Sequence, residues 1–261
     1  NTKKLIVAHV PTENGLPSVE GDYAIDGIPG TGARIRLDYY DPGGALTGRL
    51  LPTGRVRDTV HVDGVGPVEI SLVDASNIGC FFHPRALGLT GTELPEQVDA
   101  DPVLLARIES IRAQAAVLCG LAATAEEATL RSPANPKIAF VSPPTDYTTI
   151  KGSRVRAPDV DLVGRIMSMG KAHRAYALTG AIATSVAAAI EGTVANEVCR
   201  PGPAEREVRV GHPSGVIAIG AHVERRADGW HAVKVSNSRT ARRLMEGHVY
   251  VPARILAAAA R

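Results

Sequence analysis

"RIMSMGKAHRAYALTGAIATSVAAAI", residues Arg165–Ile190, is the stretch on which the fold turns. From Tyr176 to Ile190, alanine, isoleucine and valine occupy nearly every side of a helical wheel, and no charge appears until Glu191. A helix that is apolar all round has no face for water, so it belongs inside the protein. Its lead-in has the opposite character. Following Met169, the residues Lys171, His173 and Arg174 form a basic entry, Gly170 allows close backbone approach, and Thr179 places a hydroxyl in the first turns. A helix N-terminus carries unpaired N–H groups and the positive end of its dipole, so an anion would be held well at this junction. The competing reading is a plain helix entry with solvated basic residues.

Outward from this helix the chain reads mainly as strands. "DVDLVGRIMSM" just before it is ambiguous by periodicity, because Val160, Leu162 and Ile166 nearly alternate while Leu162, Val163, Ile166 and Met167 make a helical face. After it, "VRVGHPSGVIAIGAHV", "GWHAVKVSNS" and "GHVYVP" return to strands and turns. Near the start, Ile35, Leu37 and Tyr39 alternate with Arg34, Arg36 and Asp38, a half-buried strand pattern. "VEISLVDASNIGCFF" repeats the theme, with a polar break at Asp74 to Asn77. Asp101 as N-cap, Pro102 in the first turn, Leu104, Ile108, Ile111, Ala115 and Leu118 at helical spacing, and Gly120 as a stop predict a helix from about 101 to 119. Thr124 to Glu127 reads as a capping box opening a shorter one. "PKIAFVSPP" is a short strand closed by prolines. Strands, a peripheral helix pair, more strands, one buried helix and further strands give an α+β fold, with a curved, mostly antiparallel sheet wrapped round the buried helix.

Composition excludes several classes. The 29 Lys+Arg against 27 Asp+Glu leave a formal charge of +2, too small to imply nucleic acid, and no basic run is interleaved with aromatics. No apolar run approaches the ~18 residues of a membrane span. Cys80, Cys119 and Cys199 are odd in number and widely spaced, so neither a disulfide framework nor a metal knuckle is readable, and a reducing cytoplasm is the default. The opening "NTKKLIVAHV" has no signal core and no initiating methionine, and it reads as the middle of a longer sequence. Nucleophile-elbow, zinc-protease, P-loop and dinucleotide fingerprints are all absent from the sequence.

Three further clusters bear on function. "GHPSG", residues 211–215, brackets His212 and Ser214 in a tight turn between strands, from which both could point into a cleft; an ordinary exposed turn is the alternative. Asn77 at its polar break could cap a strand end or grip a carboxylate. Arg239, Arg242 and Arg243 in "SNSRTARRLMEG" read first as a solvated helix start.

"PKIAFVSPP", "SMGKAHRA", "GHPSG", "LTGTEL" and "RTARRLMEGHVYVP" together resemble the PrpF-type 2-methylaconitate cis-trans isomerase family, which includes methylitaconate and oxalomesaconate isomerases. The resemblance implies a diaminopimelate-epimerase-like fold of two similar domains with the site between them. It favours a strand for "DVDLVGRIMSM". It also implies that residues 1–63 are the last strands of a first domain and residues 64–261 a second domain, with its central helix at about 176–190. The Lys and Cys thought to move the proton in that family match nothing in these 261 residues; Lys171 belongs to the "SMGK" segment instead. Where related epimerases place a second catalytic Cys, this chain has Ala177 and Leu178, which argues against an amino-acid racemase. The implied reaction is a cofactor-independent, metal-independent proton shift on a small unsaturated di- or tricarboxylate. Asn77, Met169, Gly170, Lys171, His173, Thr179, His212 and Ser214 are the expected substrate-binding residues, with the catalytic pair unassigned. A missing N-terminal region, a companion chain or a homodimer is the expected partner for the unpaired sheet edges. A non-catalytic tricarboxylate-binding or dehydratase-accessory protein is the alternative function.

Overall fold

The computed structural model describes residues 4–253 and 255. The strands before the first helix are β1 (Leu5–His9), β2 (Thr12–Glu13), β3 (Leu16–Pro17), β4 (Tyr23–Ala24), β5 (Thr31–Gly32), β6 (Ile35–Tyr40), β7 (Asp58–Val62), β8 (Gly66–Ala75) and β9 (Asn77–Phe82). Helices α1 (Pro95–Asp99), α2 (Pro102–Leu118) and α3 (Ala125–Arg131) follow, then β10 (Lys137–Ser142), β11 (Tyr147–Thr148), β12 (Arg154–Val155), β13 (Leu162–Ser168) and β14 (Lys171–Ala172). Helices α4 (Leu178–Ala189) and α5 (Val194–Val198) precede β15 (Glu205–His212), β16 (Gly215–Arg226) and β17 (Gly229–Arg239).

One large sheet runs β1-β6-β17-β16-β15-β13-β10-β9-β8-β7, with β14 pairing β13. All its neighbours are antiparallel except β9–β10 and β13–β15. The fold is α+β, and α4 is the buried helix foreseen from its composition. Residues 180–188 of α4 are all buried, and Ala181, Ile182, Ala183, Val186 and Ala187 pack against side chains of β8, β9, β15, β16 and β17 in one core. Full burial of Ile182 and Val186 contributes about 1.5–3 kcal/mol each. Of the two hydroxyls in its middle, that of Ser185 is buried without a partner, and that of Thr184 bonds locally. The Thr184 hydroxyl donates to the Gly180 carbonyl at 2.8 Å, so the hydroxyl of Tyr176, 3.0 Å away, donates to Thr184.

The other face of the sheet carries α2 and α3. Asp101 caps α2 by accepting from the N–H groups of Val103 and Leu104, both at 2.9 Å. Leu104, Ile108, Ile111 and Ala115 are buried against β7, β8, β9 and β10, but Leu118 is 37% exposed. At α3 the Thr124 hydroxyl accepts from Glu127 N–H, while the Glu127 carboxylate returns to Ala123 N–H rather than to the cap itself. Neither α1 nor α5 was foreseen, since each has only five residues and too little periodicity to read.

The ambiguous segment is strand β13. Residues 162–167 are buried on both faces, because Ile166 faces α4 and Met167 faces α2, and that removes the alternation. Three expectations fail. "GHVYVP" forms no strand, and residues 240–252 form no helix either; Leu244, Met245, Val249 and Tyr250 are more than four-fifths exposed. Beyond Arg239 the chain leaves the sheet, and both sides of β17 are already taken by β16 and β6, so a further strand has no edge to pair with there. Asp38, expected on the solvated face of β6, is 3% exposed; His9 and Arg36 bond its carboxylate at 2.9 and 3.1 Å. The junction expected at 63/64 is the turn between β7 and β8, and β1 and β6 lie in the same sheet as β15–β17.

Candidate carboxylate site

The "GHPSG" turn sits where β15 reverses into β16, with His212 opposite Gly215. Gly215 has φ +142°, a conformation L side chains avoid, and a Cβ there would overlap the Asp26 carboxylate. Four hydrogen bonds from three segments pin the turn. Tyr147 Oη donates to Gly215 O at 2.6 Å and Ile150 N–H to Pro213 O at 2.8 Å. Ser214 Oγ donates to Arg174 O at 2.5 Å, and Val216 N–H donates to Asp26 Oδ2 at 2.7 Å.

His212 is 3% exposed, and its Nδ1 accepts from Ser214 N–H at 3.2 Å. An accepting Nδ1 leaves the proton of the neutral ring on Nε2. Burial, with the charges of Arg165 and His173 nearby, pushes its pKa down to about 4, so at neutral pH the ring is an uncharged donor. His173 repeats the local pattern, accepting from Ala175 N–H at 3.0 Å, and burial lowers its pKa as well.

His212 and Ser214 line a cleft of about 670 Å³ between the β15–β16 turn, the 23–28 segment, the start of α4 and the end of β17. Arg174, Arg209 and Arg239 also line it. Arg209 is committed to Asp161 at 2.8 Å and Arg174 to Glu96 at 2.9 Å, whereas Arg239 has no ion pair among the described residues. Asn237, 5% exposed, lines the same cleft with its Oδ1 buried and unpaired. Leu178, the first residue of α4, reaches the cleft too, and α4 has no side-chain cap because its N-cap is Ala177. Ala181 N–H is the first to find an intrahelical carbonyl, that of Ala177 at 2.8 Å, so the preceding N–H groups are left for a ligand or water. A cation without an ion-pair partner among the described residues, a neutral imidazole donor and an uncapped helix start facing one cleft suit a carboxylate.

Of the eight residues expected from sequence, the structure brings His212 and Ser214 into the cleft. Thr179 lies in the first turn of α4 and His173 just before it, close enough for its charge to act on His212. Met169 and Gly170 make the β13–β14 turn and border a small cavity against α2, on the opposite face of the sheet. Lys171 is exposed on β14 and does not line the cleft. Asn77 opens β9, its Oδ1 accepts from Ile78 N–H at 2.8 Å, and it does not line the cleft. Sequence reasoning missed Asn237, Asp26 and the role of Arg239. "SNSR" ends a strand, and only its pairing with β6 and β16 shows which side faces the cleft. Among the described residues no cluster of His, Cys, Asp and Glu is placed to hold a metal ion.

Comparison with known proteins agrees with this architecture. Residues 1–252 match the family model described as "PrpF protein". The chain is 45% identical over 252 residues to a 3-methylitaconate isomerase of Eubacterium barkeri, covering 96% of this chain and 65% of that protein. It is 40% identical to a 2-methyl-aconitate isomerase of Shewanella oneidensis, covering 97% of this chain and 64% of the relative. The crystal structure of a methylitaconate-delta-isomerase superposes with a TM-score of 0.86 at 43% identity, over 98% of this chain and 65% of that one. The chain thus spans about 65% of the length of the relatives it matches. A helix with no charged face enclosed by one sheet, and a cleft of donors at its N-terminus, are features of a chain that belongs to the PrpF family.

Proposed function

We propose that this chain contributes the carboxylate-binding half of an isomerase that moves a double bond, by cis-trans or allylic shift, in a small unsaturated di- or tricarboxylate of the methylaconitate type. The observation that carries the reading is the convergence on one cleft of the His212 Nε2–H, Arg239, which has no ion pair among the described residues, and the uncapped start of α4. Relatives named as methylitaconate and methylaconitate isomerases support it.

In such a reaction a base removes a C–H proton and a dienolate forms, with negative charge spread onto carboxylate oxygens. An acid then returns the proton at the original carbon after rotation, or at the far end of the allylic system. Preorganised donors aimed at those oxygens lower the barrier because the charge grows there in the transition state. His212 suits this work because it is uncharged: it donates without first losing a proton to the substrate. The acid and base are assigned to groups outside this cleft, on a further region of the polypeptide or a companion chain. By the same reading residues 1–63 complete a first domain, and the protein works in a reducing cytoplasm, where Cys80, Cys119 and Cys199 stay as thiols.

The test is proton exchange. Incubating the natural full-length protein with methylaconitate in D2O should put deuterium into the allylic position, and His212→Ala should lower kcat/KM at least tenfold. Tight binding of the acid with neither exchange nor isomerisation would refute the reading and support a binding protein.

A further inference from the structure

The "LTGTEL" segment, residues 89–94, lies apart from the cleft, yet it grips a buried cation that lies beneath it. Arg165 on β13 is 2% exposed and has no carboxylate partner within ion-pair distance among the described residues. Its guanidinium instead donates to three backbone carbonyls: Glu93 O at 2.7 Å, Gly164 O at 3.0 Å and Thr92 O at 3.2 Å. The 89–94 loop is closed for this purpose. The Glu93 carboxylate accepts from Thr90 N–H, the Thr90 hydroxyl and Gly91 N–H, which leaves the Thr92 and Glu93 carbonyls for Arg165. On its other side the guanidinium lies 5.0 Å from the centroid of the Tyr147 ring.

Tyr147 connects this cation to the site. Its hydroxyl bonds Gly215 O, and its ring edge packs against Gly211, where a Cβ would sit 2.9 Å from the hydroxyl oxygen. It therefore touches both glycines that bracket the His-Pro-Ser turn. A buried cation without a carboxylate is costly to keep, and a merely structural brace does not require one. A fixed positive charge under a donor ring is useful, because it favours the neutral imidazole and adds to the potential that a carboxylate meets.

We propose that Arg165, through Tyr147, is the positioning residue of the His212 turn, and that the 89–94 loop is the collar that holds it there. Arg165 touches no substrate in this arrangement. It sets the orientation of the Nε2–H through the Tyr147–Gly215 bond, and its charge adds to burial in keeping the ring uncharged. The charged and titratable groups around His212 are Arg165 from β13, His173, Arg174 and Tyr176 ahead of α4, Tyr147 from β11, Asp26 beyond β4, and Glu207, Arg209 and Arg239, which line the same cleft from β15 and β17. This inference rests on the proposed role of His212 as a carboxylate donor, and its test separates the two.

The natural full-length protein, isotope-labelled at histidine, is titrated by NMR as wild type, Arg165→Gln, Arg165→Lys and Tyr147→Phe, and each is titrated calorimetrically with trans-aconitate. The His212 midpoint should rise toward the ordinary histidine value in Arg165→Gln and return toward the wild-type value in Arg165→Lys. Tyr147→Phe, which retains the ring and loses one hydrogen bond, should fold and bind trans-aconitate about tenfold more weakly. If Arg165→Gln is too unstable to purify, Tyr147→Phe decides alone. An unmoved His212 midpoint in Arg165→Gln, or wild-type affinity in Tyr147→Phe, overturns the proposal. Unchanged trans-aconitate binding in His212→Ala would instead remove the role of His212, while the effect of Arg165 on its titration would stand.

Discussion

The N–H of Ser214 points at Nδ1 of His212, 3.2 Å away, and this one bond decides which nitrogen of the ring carries the proton. With Nδ1 accepting, the Nε2–H is the donor. With the ring held neutral, that donor needs no change of charge to meet a growing negative oxygen.

Acid stability follows from the same residue. The His212 pKa falls from the ordinary 6.5 to about 4 in the folded protein, so between these values the unfolded chain binds more protons. Stability is therefore full above pH 6.5 and declines as the pH falls toward 4, by about 3 kcal/mol from this histidine. His173 and His83, both lowered chiefly by burial, add in the same direction. Urea unfolding at a series of pH values should show the decline, and His212→Gln should flatten it. An equally steep decline in the variant would assign the effect elsewhere.

Arg239 and Lys171 separate in a binding measurement. Arg239→Ala removes a cation that lines the cleft and should weaken trans-aconitate by about ten- to a hundredfold. Lys171→Ala removes an exposed charge on β14 outside the lining and should change the affinity less than about twofold, the ordinary scale of a distant surface charge. A large loss in the Lys171 variant would mean that the β13–β14 hairpin reaches the ligand.

The N-cap of α4 sets stability against binding. Ala177 already has the extended geometry of an N-cap, φ −63° and ψ 129°, without a side chain able to accept. Ala177→Asp should cap the helix and raise stability by about 1 kcal/mol in a chemical denaturation curve. The same carboxylate would occupy the anion position, so trans-aconitate affinity should fall. A variant that gains stability and still binds as well as wild type would place the ligand away from the helix start.

Gly215→Ala puts a Cβ at φ +142° against the Asp26 carboxylate. The expected cost is about 1–3 kcal/mol, with loss of the Asp26–Val216 bond and faster hydrogen exchange in residues 23–32. Unchanged exchange there would show that Asp26 does not latch this segment to the turn.

The linear order of residues already contained the interior of this protein. Tyr176 to Ile190 has no charge to give to solvent, so α4 could only be enclosed. Asp101 and Thr124 announced their helices because a cap is a local hydrogen bond between residues two or three apart. "GHPSG" announced a turn for the same reason. The cleft was far less legible. Asp26, Asn237 and Arg239 join His212 through pairings that span up to about two hundred residues, and strand register decides which side each presents. Asn77 and Lys171 had the right chemistry in the right neighbourhood of the sequence. They follow the turns at Ser76 and at Met169–Gly170 and do not line the cleft, because a reversal of one or two residues moves a side chain from one surface to another without any change in composition.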